Sequence, residues 1–217
     1  VKSTNPATPF YNFNSVSGFD AATPIPVPAG FTATGGNVHS YKSGSDYYRV
    51  HTFLSSGSFV ISDDVVGAVP GNLEYLVVAG GGSGHGGGPA NNDGQGGGGG
   101  AGGFRTNLPG VTNAAGDPLT NAAVTGVLGT FPVTVGAGGA GGYPGNPGGN
   151  SIFSLPTPIS ATGGGRGGVY NDGSGPQAQG QPGGSGGGAG NINGSEPAGT
   201  GNAGSFPVPE GNPGGIA

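Results

Sequence analysis

Residues 73 to 104 constrain this chain more than any other stretch. The run opens with a strand pattern, Leu73-Glu74-Tyr75-Leu76-Val77-Val78-Ala79, and passes without a break into Gly80-Gly81-Gly82-Ser83-Gly84-His85-Gly86-Gly87-Gly88. A polar interruption from Pro89 to Gln95 precedes a second tract, Gly96 to Gly103, which ends on Phe104-Arg105. Segments with so few side chains have almost no apolar area to bury, so any order in them must come from backbone groups pairing with other backbone. Of the 56 glycines, 48 lie after residue 79, whereas soluble domains average about 7% glycine.

The spacing of the glycines narrows the options. Glycine recurs at 136, 139, 142, 145 and 148, and shorter registers occur at 81, 84 and 87, at 94, 97, 100 and 103, and at 180, 183 and 186. A period of three implies an extended helix with three residues per turn and one crowded face. Collagen needs long unbroken repeats, and these registers break after three to five triplets. The alternative is a bundle of short polyglycine II helices joined by turns, in which residues 136–150 would span about 45 Å. Disorder competes with that reading, because ordering each glycine costs about 1–2 kcal/mol and little apolar burial offsets it.

The expected fold class is all-β or irregular: a small antiparallel β-domain followed by a bundle of polyglycine II helices. Residues 1–34 form a Pro/Thr-rich N-terminal arm or linker, whose Phe10, Tyr11, Phe13 and Phe19 are expected to pack on a neighbouring domain or a second subunit. Residues 35–79 form the β-domain. Its clearest feature is a hairpin over 46–62, with alternating side chains from Tyr47 to Leu54, a turn at Ser55-Ser56-Gly57 and a return through Phe59-Val60-Ile61. With the strand at 73–79 it makes the one conventional core. Residues 80–217 form the glycine-rich bundle with its loops, including a loop over 107–130 and strand-like runs at Phe131–Val135, Ile152–Leu155 and Pro158–Ala161.

Several function classes fall away on composition. Five Lys and Arg, scattered at 2, 42, 49, 105 and 166 in a chain of net charge −5, do not suit phosphate-driven nucleic-acid binding. No apolar run approaches the ~20 residues that span a bilayer, so no membrane insertion is expected. No signal peptide is visible, and the lack of Met even at position 1 leads us to expect a processed N-terminus or an excised fragment. Absent Cys removes disulfides and thiolate metal sites.

Gly183-Gly184-Ser185-Gly186-Gly187 fits a nucleophile-elbow pattern but follows no strand, and only His39, His51 and His85 are available as a base. Asn91-Asn92-Asp93-Gly94 resembles part of a calcium loop without its downstream bidentate acid, and Asp63-Asp64 reads as a solvated pair. His51 reads as structural and His85 as outward-facing. No enzyme, cofactor or metal is expected.

The order of motifs carries a resemblance. Tyr48-Arg49-Val50-His51-Thr52-Phe53, the Ser55-Ser56-Gly57 turn, Leu73 to Gly82, Gly96 to Phe104, Pro132 to Gly139, Gly149-Asn150-Ser151-Ile152-Phe153 and Ala161-Thr162-Gly163-Gly164-Gly165 together resemble the glycine-rich domain of phage tail-fibre and tip-adhesin proteins over roughly residues 46–190. Pro132, where that strand usually carries a donor, and the long 107–130 segment depart from the pattern. The resemblance implies a polyglycine II sandwich whose apical loops recognise a host surface, with a virion or extracellular location.

The expected partners are a host cell-surface glycan or an outer-membrane protein, with self-association or attachment to a fibre shaft through the N-terminal arm. Since glycine helices offer little chemistry, the candidate receptor-binding residues are the aromatic and amide groups of loops and outward faces: Asn91, Asn92, Asp93, Tyr143, Asn146, Tyr170, Asn171 and Asp172. The alternative function is a subunit of a self-assembling extracellular glycine-rich filament. Ice binding is a third possibility, but outward positions such as Tyr143, Pro144, Asn146 and Pro147 are too mixed for a regular flat face.

Overall fold

The computed structural model describes residues 2–3, 32–62, 71–85, 96–112, 118–169, 178–190 and 196–216. Every regular element among them is a β-strand. In the first third these are β1 (Lys2–Ser3), β2 (Thr32–Thr34), β3 (Asn37–Ser43), β4 (Asp46–Thr52), β5 (Gly57–Ser62) and β6 (Asn72–Leu73). They are followed by β7 (Leu76–Val78), β8 (Phe104–Thr106), β9 (Val124–Thr125), β10 (Gly129–Thr134), β11 (Ser151–Phe153) and β12 (Ile159–Ala161). The chain forms two compact units, one from residues 1–74 and 123–131, the other from 75–122 and 132–217. The division therefore falls at 74/75 where the sequence suggested 79/80, and a later segment returns to the first unit.

In the first unit, β3 and β4 pair antiparallel without interruption from Asn37↔Thr52 to Ser43↔Asp46. Gly44-Ser45 closes this hairpin, and Gly44 takes a φ of 61° that a side chain would resist. The opposite edge of β4 pairs with β1, Lys2 facing Tyr48. The hairpin expected over 46–62 does not form as a ladder: β4 belongs with β3, while β5 pairs with β2 through Thr32↔Ser62 and Thr34↔Val60. The physical reason is the two-residue Gly-Ser turn, which gives β4 a seven-residue partner before the 53–56 corner is reached. Beyond that corner β5 buries Phe59 and Ile61 in alternation, and Ala33, Leu73 and Phe131 are also buried in this unit. His51 Nδ1 lies 2.8 Å from Gly35 O and donates to it, which leaves Nε2 deprotonated and, although buried, without a partner. Burial lowers its pKa, opposed by the Gly35 hydrogen bond and reinforced by nearby Arg49. Its ring meets Phe59 edge-on at 5.0 Å, so the structural reading of His51 holds.

In the second unit the expected strand 73–79 is divided: β7 pairs with β8, while Leu73 pairs with Val124 in the first unit. β11 and β12 pair through Ile152↔Ser160, and β10 continues into this unit as Val133↔Phe153. Thr106, fully buried, donates from Oγ1 to Tyr75 O at 2.7 Å, and Tyr75 N donates to Asn107 Oδ1 at 2.8 Å. Part of the expected 107–130 loop is tied in, since Asn121 Nδ2 donates to Thr106 O and Arg105 donates to Asn121 Oδ1 and Ser160 O.

The rest of this unit is neither strand nor helix, yet its backbone is densely paired. Segments 136–141, 79–85 and 96–103 form one row; 145–150, 162–169, 184–190 and 211–216 a second; 178–183 and 196–201 a third, each hydrogen-bonded to neighbours within and between rows. The register steps by three residues. Amides of 79, 82 and 85 donate to carbonyls of 103, 100 and 97, and those of 97, 100 and 103 donate in turn to 168, 165 and 162. Residues 80 and 83 instead donate to 149 and 146, while 81 accepts from 139. Consecutive residues thus address different neighbours, unlike the two-sided alternation of a strand.

Close approach explains the glycine. A Cβ at 97 or 100, or at 180, 183 or 186, would overlap backbone of an adjoining segment, as would one at 136, 139 or 148, and at 103 it would strike the Glu210 carboxylate. At 145 it would strike the Ser83 hydroxyl, and at 142, in a turn, it would touch only Pro144 O at 3.5 Å. The 81/84 register differs: both positions face outward with room to spare, and 80 and 82 are the crowded ones.

One carboxylate anchors the strand-proximal end. Glu210, only 3% exposed, accepts from Thr162 N at 2.8 Å and Gly204 N at 3.3 Å, while its own carbonyl accepts from Phe104 N. Arg105, next to Phe104 in sequence, stacks over the Phe206 ring at 3.9 Å.

Candidate functional site at the loop end of the glycine segments

The two ends of this assembly are chemically distinct. At one end β7, β8, β10, β11 and β12 lead into or out of the glycine segments, as the pairs 79–103, 103–162 and 80–149 indicate. At the other end lie His85, Gly97, Gly168, Ala178 and Gly190, linked by hydrogen bonds from His85 N to Gly97 O, from Gly97 N to Gly168 O and from Gly190 N to Ala178 O. The connections 86–95, 170–177 and 191–195 all attach there, and so does the turn at 142–144. Six of the eight candidate residues, Asn91, Asn92, Asp93, Tyr170, Asn171 and Asp172, lie outside the described residues; their flanking anchors share this end.

Tyr143 and Asn146 are described. The chain leaves 136–141, passes through Gly142 and a cis Tyr143–Pro144 peptide, and returns as 145–150 with Asn146 N donating to Ala140 O. Ser83 fixes this turn to the next segment: its amide and its hydroxyl both donate to Asn146 O at 3.0 Å, and its carbonyl accepts from Gly167 N. Ser83 is buried because Gly145 leaves room for its hydroxyl.

Above this clamp the Tyr143 ring meets His85 at 5.1 Å and 68°, with Tyr143 49% exposed. His85 is therefore half-buried against an aromatic ring, which corrects the outward-facing expectation; its Nδ1 is buried and without a hydrogen-bond partner. The tyrosine offers exposed ring surface beside the imidazole, and the Asn146 side chain lies exposed nearby. Such a surface can stack on a flat apolar ring while offering polar groups at its margin. His85 was missed as part of the site because its only sequence signal is a bulky residue inside a glycine tract. Among the described residues, no group of three His, Asp or Glu could hold a metal ion, and no helix is long and apolar enough to cross a membrane.

Residues 55–217 match the glycine-rich domain family, and the chain belongs to it. No curated protein and no solved structure matches the chain.

Proposed function

We propose that this chain is a non-enzymatic adhesion module of a phage tail fibre, in which a bundle of polyglycine II helices displays loops that bind a host-surface glycan or outer-membrane protein. The observation that carries the reading is the polarity of the glycine assembly. Its segments pair through backbone at every third residue, the period of a three-fold extended helix. Its side-chain-rich connections attach at one end, around Tyr143 and His85. A body that exposes mostly glycine and alanine is a rigid mount, and recognition then rests on what the loops carry. The resemblance to tail-fibre and tip-adhesin domains favours the same assignment and a virion location.

The test is adsorption of the purified chain to host cells or to a glycan array. Tyr143→Ala, and separately Tyr170→Ala combined with Asn171→Ala, should abolish adsorption while leaving the unfolding midpoint within about 0.5 kcal/mol of wild type, as for surface substitutions elsewhere. Normal adsorption by both variants would remove the loop end from consideration. Micrometre-long fibres of the purified chain in electron micrographs would favour the filament alternative.

A further inference from the structure

We propose that the joint between the β3–β4 hairpin and the β2–β5 pair is a pH-sensitive hinge, latched by neutral His51 and released when its ring takes up a second proton. Among the described residues two links cross this joint: Gly35-Gly36 between β2 and β3, and residues 53–56 between β4 and β5. The first has the conformation of a hinge, with φ of 106° at Gly35 and 63° at Gly36. Its backbone lies so close to Ser58 O and Thr52 O that neither position has room for a Cβ. The Phe53 ring lies against both glycines and Gly57, and meets Phe59 at 6.5 Å and 84°. Beyond the joint solvent reaches both faces of β3, whose residues are exposed apart from half-buried Ser40.

His51 ties the two sides together. From β4 its Nδ1 donates to Gly35 O at 2.8 Å, and its ring meets Phe59 of β5 at 5.0 Å, so one side chain touches the glycine link and the neighbouring strand at once. That arrangement suits only the neutral ring, because Nε2 is buried without a partner. A proton on Nε2 makes a buried, charged donor with no acceptor, and the ring reaches water only by giving up Gly35 O and Phe59. The groups that meet it from other elements, Gly35, Phe59 and its cross-strand partner Val38, carry no charge. Burial is the main cause that holds its pKa below the ordinary value; the Gly35 hydrogen bond opposes this, and the positive charges of Arg49 on the same strand and of the chain's amino terminus reinforce it. The ladders on either side, Asn37↔Thr52 to Ser43↔Asp46 and Thr32↔Ser62 to Thr34↔Val60, are backbone pairs that do not use the His51 side chain. Release therefore frees the joint and leaves both ladders paired. This inference is independent of the receptor assignment.

Pulsed electron paramagnetic resonance on the full chain tests it. The chain has no cysteine, so spin labels at Ser45→Cys in the hairpin turn and Thr130→Cys on β10, both exposed and both in the first unit, report the geometry of the joint. At about pH 7.5 the labels should give one narrow distance distribution. Below the unfolded-chain value of 6.5 a second, broader population should grow. Its ratio to the first should rise by up to about tenfold per pH unit until the folded pKa is passed, as uptake of one proton requires. Far-ultraviolet circular dichroism at each pH should stay constant across that change, because the ladders persist. In a His51→Asn background, which cannot charge, the distribution should not change with pH. A wild-type distribution that stays constant down to the pH at which the ellipticity is lost overturns the inference. So does a transition retained in His51→Asn.

Discussion

Adding one methyl group at Gly164 should destabilise the second unit more than any exposed substitution could. Gly164 sits in the middle row, where its amide donates to Gly80 O at 2.9 Å and its carbonyl accepts from Gly148 N at 2.9 Å. A Cβ there would overlap Gly100 O and stand 2.7 Å from both the Gly100 carbonyl carbon and the Gly82 amide nitrogen. Relief requires the 162–169 segment to separate from 79–85 and 96–103, which breaks or stretches Gly164 N to Gly80 O together with its nearest companions, Gly167 N to Ser83 O, Gly100 N to Gly165 O and Gly103 N to Thr162 O. At about 1 kcal/mol net for each of these bonds, the loss is about 4 kcal/mol. For a chain of this size that corresponds to a midpoint lowered by about 10 °C. The control is Gly98→Ala, whose Cβ would have nothing within 4 Å; it should leave stability unchanged or raise it by about 0.5 kcal/mol through the unfolded chain. Thermal unfolding followed by circular dichroism measures both. Equal midpoints for the two variants would refute the close-packing argument.

Further outcomes are expected elsewhere. Glu210→Ala leaves the amides of Thr162 and Gly204 without an acceptor and should cost about 2–4 kcal/mol by denaturant unfolding, with Glu210→Gln milder because its amide oxygen still accepts. Gly139→Val should disrupt the 136–150 turn, since a Cβ at 139 would lie 2.8 Å from Ser83 N, whereas exposed Ala140→Val should be tolerated in the same melting assay. The pKa of His51 is lower folded than the 6.5 of the unfolded chain, so between those values the unfolded state binds more protons. Its contribution is therefore complete above about pH 6.5 and is lost as pH falls toward the folded value. His51→Asn should flatten that part of a stability–pH curve.

Much of this arrangement is visible in the residues, and the exceptions have physical causes. The triplet glycines at 97, 100 and 103 and at 180, 183 and 186 are crowded on the sequence register because each of them faces an adjoining segment at close approach. In segment 79–85 Gly80 and Gly82 are the crowded positions and Ser83 is turned inward, so its 81/84 register marks the open side. The runs at 152–155 and 158–161 form β11 and β12 almost as read. The hairpin over 46–62 was misassigned because alternation predicts strands but not partners; the Gly44-Ser45 signal decides the pairing. Glu210 carries no signal in the sequence, since its role depends on amides that glycine-rich backbone leaves unpaired. At the candidate site, Tyr143 was legible as an aromatic outside the crowded register, while its contact with His85 depends on how two distant segments align.

Residue-resolved amide hydrogen exchange tests the three-fold backbone pairing most directly. In the 96–103 segment the amides of 97, 100 and 103 should be protected and those of 98, 99 and 102 should exchange quickly; in 79–85, residues 81 and 84 should be the fast ones between protected neighbours. Protection that alternates every second residue would mean these segments are strands. Uniformly fast exchange across both segments would mean that the glycine tracts do not pair, and would contradict the account at its base.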